Sequence, residues 1–178
     1  MTAAGVRRVP MARLAGLAGW VAGLVVSPVQ AQSDGCARTV RSDPPGQVIV
    51  CADGLTIHAE ADSTFGLLDR RRDGRPEAVR LDARGLLIEV PAGRGGGFQI
   101  LTPHAIAAVR GTVWAVDVTT EQTSVFVRRG SVRVRRPGGR PVTLRAGDGV
   151  DVRPGSDPPV VQRWRPARVA ALLARFGR

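Results

Sequence analysis

Residues 98–152 read FQILTPHAIAAVRGTVWAVDVTTEQTSVFVRRGSVRVRRPGGRPVTLRAGDGVDV, and the spacing of apolar residues in this stretch decides the fold. On an extended chain Trp114, Val116 and Val118 point one way, and Val113, Ala115 and Asp117 the other. Val125 and Val127 alternate with Ser124, Phe126 and Arg128. Val132 and Val134 alternate with Arg133 and Arg135, Val142 and Leu144 with Thr143 and Arg145, Val150 and Val152 with Asp151 and Arg153. In these last three runs every second residue is polar, so one face is buried and the other wet. Turns fall at Gly111, Gly130, Pro137-Gly138-Gly139 and Gly147-Asp148-Gly149. Short strands at such even spacing mean an all-β sandwich, barrel or solenoid, and periodicity leaves the three open.

Upstream, Gln47–Cys51, Leu55–His58, Phe65–Leu68, Ala78–Leu81 and Leu86–Val90 read as further strands, with a hairpin-type turn at Asp53-Gly54. Asp82–Gly85 is expected to separate the last two, and Arg94-Gly95-Gly96-Gly97 to form an exposed loop. The run Asp69–Gly74 imitates a calcium loop but fails its ligand pattern. Arg71 stands at the central ligand slot and Arg80 where the bidentate glutamate belongs. A solvated turn is the better reading. The chain thus divides into a leader (1–31), an N-terminal β segment (32–97), a central β core (98–155) and a tail (156–178).

The leader carries Arg7, Arg8 and Arg13, an apolar run from Leu14 to Val26, a breaker at Pro28, and small residues before Ala31. This is the pattern of a secretory signal peptide cleaved between Ala31 and Gln32. The apolar run is shorter than the ~20 residues of a membrane span, which disfavours an uncleaved anchor. Export to the periplasm is the expectation, with secretion or surface display the alternatives. The remaining residues make about one domain. Cys36 and Cys51 are the only cysteines, and an isolated pair in an oxidising compartment reads as a disulfide. Metal binding and redox catalysis fit less well, since neither His58 nor His104 has zinc-ligand spacing and no C-x-x-C is present.

The formal charge is +11 and every basic residue is arginine. Export makes nucleic acid an improbable partner, leaving envelope proteins or anionic envelope polymers such as lipopolysaccharide or acidic glycan. No order of nucleophile, base and acid points to catalysis, to a metal or to a cofactor. Glu89 and the scattered aspartates show no spacing of a carboxylate pair.

Thr102-Pro103, then Ala108-Val109-Arg110-Gly111-Thr112, Thr123–Val127, Gly130–Val134 and Leu144–Gly147 occur in an order that resembles the FecR domain. That domain is a β-rich extracytoplasmic module of bacterial signalling proteins. The resemblance is strongest over Phe98–Val152, and it implies a solenoid-like stack of short strands. FecR regulators also have a cytoplasmic anti-sigma segment and a terminal receptor-contacting module. Only a short arginine-bearing start precedes the apolar run, and the tail after Val161 is short, so the resemblance implies the extracytoplasmic scaffold and not the relay to a sigma factor.

Arg110, Gly111, Thr112 and Trp114 form the motif to watch, as structural or partner-binding residues. Arg110 is expected to pair internally, with Asp117 the candidate, rather than to hold a partner's carboxylate. Trp114 is expected in the core, in phase with Val116 and Val118, rather than as a platform for sugar. In the tail, residues 166–176 read as an amphipathic helix, with Pro166 in its first turn and Val169, Leu172, Leu173 and Phe176 on one stripe. Capping the open edge of the β stack is preferred to lying on a membrane. The function expected is therefore that of an exported, non-enzymatic scaffold contacting another envelope protein. Binding of an anionic polymer through arginines is the alternative.

Overall fold

A computed structural model describes residues 35–155 and 158–178, all within one compact unit spanning residues 31–178. The leader and its Ala31–Gln32 junction lie outside the described residues. Thirteen strands run β1 Cys36–Ser42, β2 Pro45–Cys51, β3 Thr56–Glu60, β4 Thr64–Leu68, β5 Ala78–Glu89, β6 Phe98–Leu101, β7 Ile106–Val109, β8 Val113–Val118, β9 Thr123–Arg129, β10 Ser131–Arg135, β11 Val142–Arg145, β12 Asp148–Val152 and β13 Val161–Arg163. One helix, α1 (Pro166–Ala174), ends the chain.

The spine of the sheet is β5. The spacing at Asp82–Gly85 suggests two strands, but the structure has one of twelve residues that bends there. Arg84 takes φ +68° at the bend, a left-handed conformation that redirects the chain. The first half of β5 pairs with β4 and, in parallel, with β6; the second half pairs with β3 and β8. One leaf is therefore β4-β5-β6-β7-β10-β11, and the other is β1-β2-β3-β5-β8-β9-β12-β13. Strands from both sides of the Gly95–Gly97 loop interleave in these leaves.

The β-rich class and the C-terminal helix agree with the sequence reading, but the solenoid-like stack does not describe the pairing. A solenoid repeats parallel pairings between successive coils. Among the described residues only β5–β6 is parallel, and the other pairings are antiparallel, mostly between hairpin neighbours. The sheet instead curls until β11 lies alongside β9, β12 and β13, giving a nearly closed, barrel-like form.

The alternation read from residues 98–152 governs burial. Val132, Val134, Leu144, Val150, Val152, Val125 and Val127 join Trp114, Val116 and Val118 in one apolar core between the leaves, with Leu81, Ile88, Phe98 and Ile100. On β8 and β9 the other face is buried as well. Leu87, Val113, Ala115 and Phe126 form a second cluster with Trp164, Leu172 and Phe176. The helix thus covers a sheet face, not the strand edge expected of a cap. Its apolar stripe needs a broad partner surface, and a single edge offers only one row of backbone groups.

Candidate functional site

The Arg110-Gly111-Thr112 motif is a joint between turns. Thr112 is fully buried, and its backbone N–H and C=O both bond Val90 (3.0 and 2.8 Å). Its Oγ1 lies 2.9 Å from the Arg110 carbonyl and 3.1 Å from that of Ser131, so one hydroxyl ties the β7–β8 turn to the start of β10. Gly111 has φ +58°, and a Cβ there would meet the Ala92 Cα at 2.9 Å, which leaves glycine as the residue that fits. The Arg110 side chain is exposed and makes no hydrogen bond or ion pair among the described residues. Asp117, its expected partner, is taken by Arg175. Trp114 is completely buried, and its indole N–H has no hydrogen-bond partner among the described residues.

Cys36 and Cys51 are cross-strand partners of the β1–β2 hairpin and form a disulfide. This hairpin forms one edge of its leaf, and Val40 on it is 84% exposed. Asp69 accepts from the backbone N–H groups of Gly74 and Asp73 (2.8 and 3.3 Å), closing the solvated turn read from the sequence. Arg94, placed by sequence in an exposed glycine loop, is instead that loop's anchor. Its buried guanidinium lies 2.6 Å from Asp53, bonds the Pro76 carbonyl and sits over the Phe98 ring.

The face under α1 is closed by arginines as well as apolar residues. Arg168 donates to Asp151 (2.6 and 3.0 Å) and lies 3.5 Å above the Trp164 ring. Burial by itself pushes the Asp151 carboxyl up, but the bonds from Arg168 and Ser124 outweigh it and hold it below the usual range. Arg175 bonds Asp117 and Glu60, and Arg178 bonds Glu89. Arg41 of β1 donates to the carbonyls of Phe176 (2.8 Å) and Arg175 (3.3 Å), which the end of the helix leaves without intrahelical partners. Arg168, Arg175 and Arg178 fall off the apolar stripe of Val169, Leu172, Leu173 and Phe176. The seven-residue spacing of Arg168 and Arg175 was the available signal that both reach the same side.

The outer face of the other leaf is open. Strand register sets Gly66, Arg80, Leu101, Ile106 and Arg135 in one row across β4, β5, β6, β7 and β10. The next row runs Leu68, Ala78, Gln99, Ala108, Arg133 and Thr143, and Ser131 with Arg145 begins a third. Leu101 and Ile106 are half-buried, while Arg80, Arg133, Arg135 and Arg145 are exposed and have no carboxylate partner among the described residues. Gln99, Ile106, Ala108, Arg133, Arg135 and Pro141 line a shallow groove of about 180 Å³ on this face.

A curled β domain with one helix-sealed face and one open basic face is the class that fold and surface define. The FecR protein family model matches residues 39–133, more than half of the chain, so this protein belongs to the FecR family. The match begins well upstream of Phe98, and it covers Arg110, Gly111, Thr112 and Trp114. Two crystal structures of a candidate anti-sigma factor from Parabacteroides distasonis share the fold. Both have a TM-score of 0.60 and 18% identity, and the likeness covers 77% and 78% of this chain. The chain spans 64% of the length of each of those structures. No curated protein matches its sequence significantly.

Proposed function

We propose that this protein is an exported, non-enzymatic FecR-type scaffold that contacts another protein of the cell envelope and takes part in envelope signalling. The observation that carries the reading is the open outer face, a broad, shallow surface with exposed arginines around half-buried Leu101 and Ile106, in a chain of the FecR family. Charged rims around apolar centres are the anatomy of protein interfaces. The fold shared with candidate anti-sigma factors supports the signalling link. The leader pattern of residues 1–31 and the Cys36–Cys51 disulfide support a periplasmic site of action. Glu89, the carboxylate singled out for an enzymatic alternative, is bonded by the Arg178 guanidinium.

The test is covalent crosslinking in intact cells that export the tagged full chain, followed by identification of what is joined to it. A single membrane receptor or regulator, recovered in stoichiometric amount, is the expected result. Recovery of lipopolysaccharide or glycan with no protein would overturn the scaffold reading.

A further inference from the structure

Resting on that scaffold reading, we infer that the open face of β5, β6, β7, β10 and β11 is the docking surface, and that its occupant is an acidic segment of the partner protein. Charge selects the occupant first. The carboxylates near the helix are engaged by Arg168, Arg175 and Arg178, whereas Arg80, Arg133, Arg135 and Arg145 project from the open face without a counter-charge. The acid on this side is Asp82, at the bend of β5. A second copy of this chain would set arginines against arginines, which disfavours self-association through this face.

Geometry narrows the occupant further. Arg80 and Arg135 end a row with Leu101 and Ile106 between them, three strand spacings or about 14 Å across. Arg133 and Arg135 stand two residues apart on β10, about 7 Å. A matching segment carries an apolar residue over Leu101 and Ile106 with carboxylates to either side, each able to take two N–H groups from a guanidinium. A glycan is a poorer match, because sugars dock on exposed aromatic rings and the described aromatic residues here are buried or half-buried. A lipid surface also fits poorly, since the exposed large apolar residues Val40, Val50, Val160 and Val161 lie elsewhere.

A photo-crosslinking side chain at Thr143, inside the patch, should join the captured partner through an acidic segment, while one at Val40 should not. In parallel, the full exported chain is titrated with a ten-residue peptide, Glu-Ser-Leu-Ser-Glu-Ser-Leu-Ser-Glu-Ser, which sets Glu and Leu in turn on one face of an extended chain, with its Gln counterpart, and with lipopolysaccharide micelles. The Glu peptide should bind at least ten-fold more tightly than the Gln peptide. Arg133→Glu with Arg135→Glu should remove that preference, and Arg71→Glu with Arg72→Glu, the same charge change on a distant turn, should stay within two-fold of wild type. Matching circular dichroism spectra verify that both variants fold. Equal binding of the two peptides, a double reversal no worse than its control, or crosslinking from Val40 alone overturns the surface. Tighter binding of lipopolysaccharide, lost in Arg133→Glu/Arg135→Glu, overturns the acidic-protein occupant. If crosslinking in cells finds a partner and these tests fail, the scaffold reading stands and only this face is wrong.

Discussion

The Arg175 guanidinium lies 2.6 Å from the Asp117 carboxylate while also bonding Glu60, so one side chain at the end of α1 is joined to both β8 and β3. The bond from Asp117 is the largest influence on its ionisation; burial opposes it and Glu60 reinforces it, leaving the group more firmly protonated than a free arginine. The helix is short, and its N-cap residue Arg165 makes no side-chain capping bond. An isolated helix of this length is marginal in water, so its stability comes from the sheet. Leu172 and Phe176 supply the apolar part of that docking, and the arginine pairs fix its register.

Replacing Arg175 with Met keeps the stem and removes the charge. Asp117 and Glu60, whose side chains are 21% and 16% exposed, then lose their guanidinium. Full burial would make the loss about 3–5 kcal/mol, and partial solvent access reduces it to about 2 kcal/mol. The urea midpoint should fall accordingly, with Arg175→Lys intermediate. An unchanged midpoint would remove Arg175 from the docking account.

Gly149 lies under the Trp164 indole, where an added Cβ would come within 2.3 Å of the ring atoms. Trp164 is stacked on Phe126 with centroids 5.4 Å apart. Gly149→Ala should push the indole outward, costing about 2 kcal/mol as overpacking does. Tryptophan emission should shift to the red, because Trp164 gains solvent while Trp114 stays in the core. Emission identical to wild type would show that β12 gives way instead.

Reducing the Cys36–Cys51 disulfide frees a loop with a sequence separation of 15, worth about 3 kcal/mol in the chain-entropy account. The reduced protein, and the Cys36→Ser/Cys51→Ser variant, should unfold at lower urea than the oxidised protein. Both cysteines are buried, so the variant also loses a little apolar contact. A midpoint insensitive to reductant would mean that the β1–β2 hairpin separates before the main transition.

The sequence made the strands legible because alternation is a local property: Val132, Val134 and Leu144 need no knowledge of their partners to be placed inside. What it could not supply was register. Arg80 and Arg135 lie 55 positions apart in the chain and share a row only through the β5–β6–β7–β10 pairing. The same limit hid Asp117 from Arg175 and made Arg110 look like its natural neighbour. Asp82–Gly85 read as a turn because its composition is that of a turn; the positive φ at Arg84 bends the strand without ending it. The helix stripe was readable from Val169, Leu172, Leu173 and Phe176, but its destination was not, since Val113, Ala115 and Phe126 alternate with other core residues and look equally like a wet face.

His58 makes stability depend on pH. Burial above all, and then the nearby Arg178 and Arg41, push its imidazole below the ordinary value, while Glu89 pulls the other way. Its Nε2 lies 3.0 Å from the Arg178 guanidinium, an arrangement that needs the neutral ring as acceptor. The unfolded chain therefore binds the proton more readily than the native one. Stability is complete above about pH 6.5 and declines as pH falls from there through the lower native value. Urea midpoints should drop between pH 7.5 and pH 5, a range in which exposed carboxylates remain ionised. His58→Gln should flatten the slope, and a slope unchanged in that variant would show that His58 is not its source.

The strongest test of the motif is Thr112→Val, which keeps shape and removes the hydroxyl. Thr112 Oγ1 is the polar contact between the Arg110 and Ser131 carbonyls, and a Cβ built on Gly130 comes within 2.9 Å of that oxygen. Removing the hydroxyl removes the single O–H that the Arg110 and Ser131 carbonyls share in a buried joint, at about 1–2 kcal/mol. Gly130→Ala adds strain at φ +87° and crowds the same oxygen, so it should cost about as much or more. Because both changes act on one contact, their effects should not add: the double variant should lose less than the sum of the two single losses. Denaturation of the two single variants and the double measures this directly. Simple additivity would mean that Thr112 and Gly130 support separate turns, and that the Arg-Gly-Thr motif serves something other than the joint between β8 and β10.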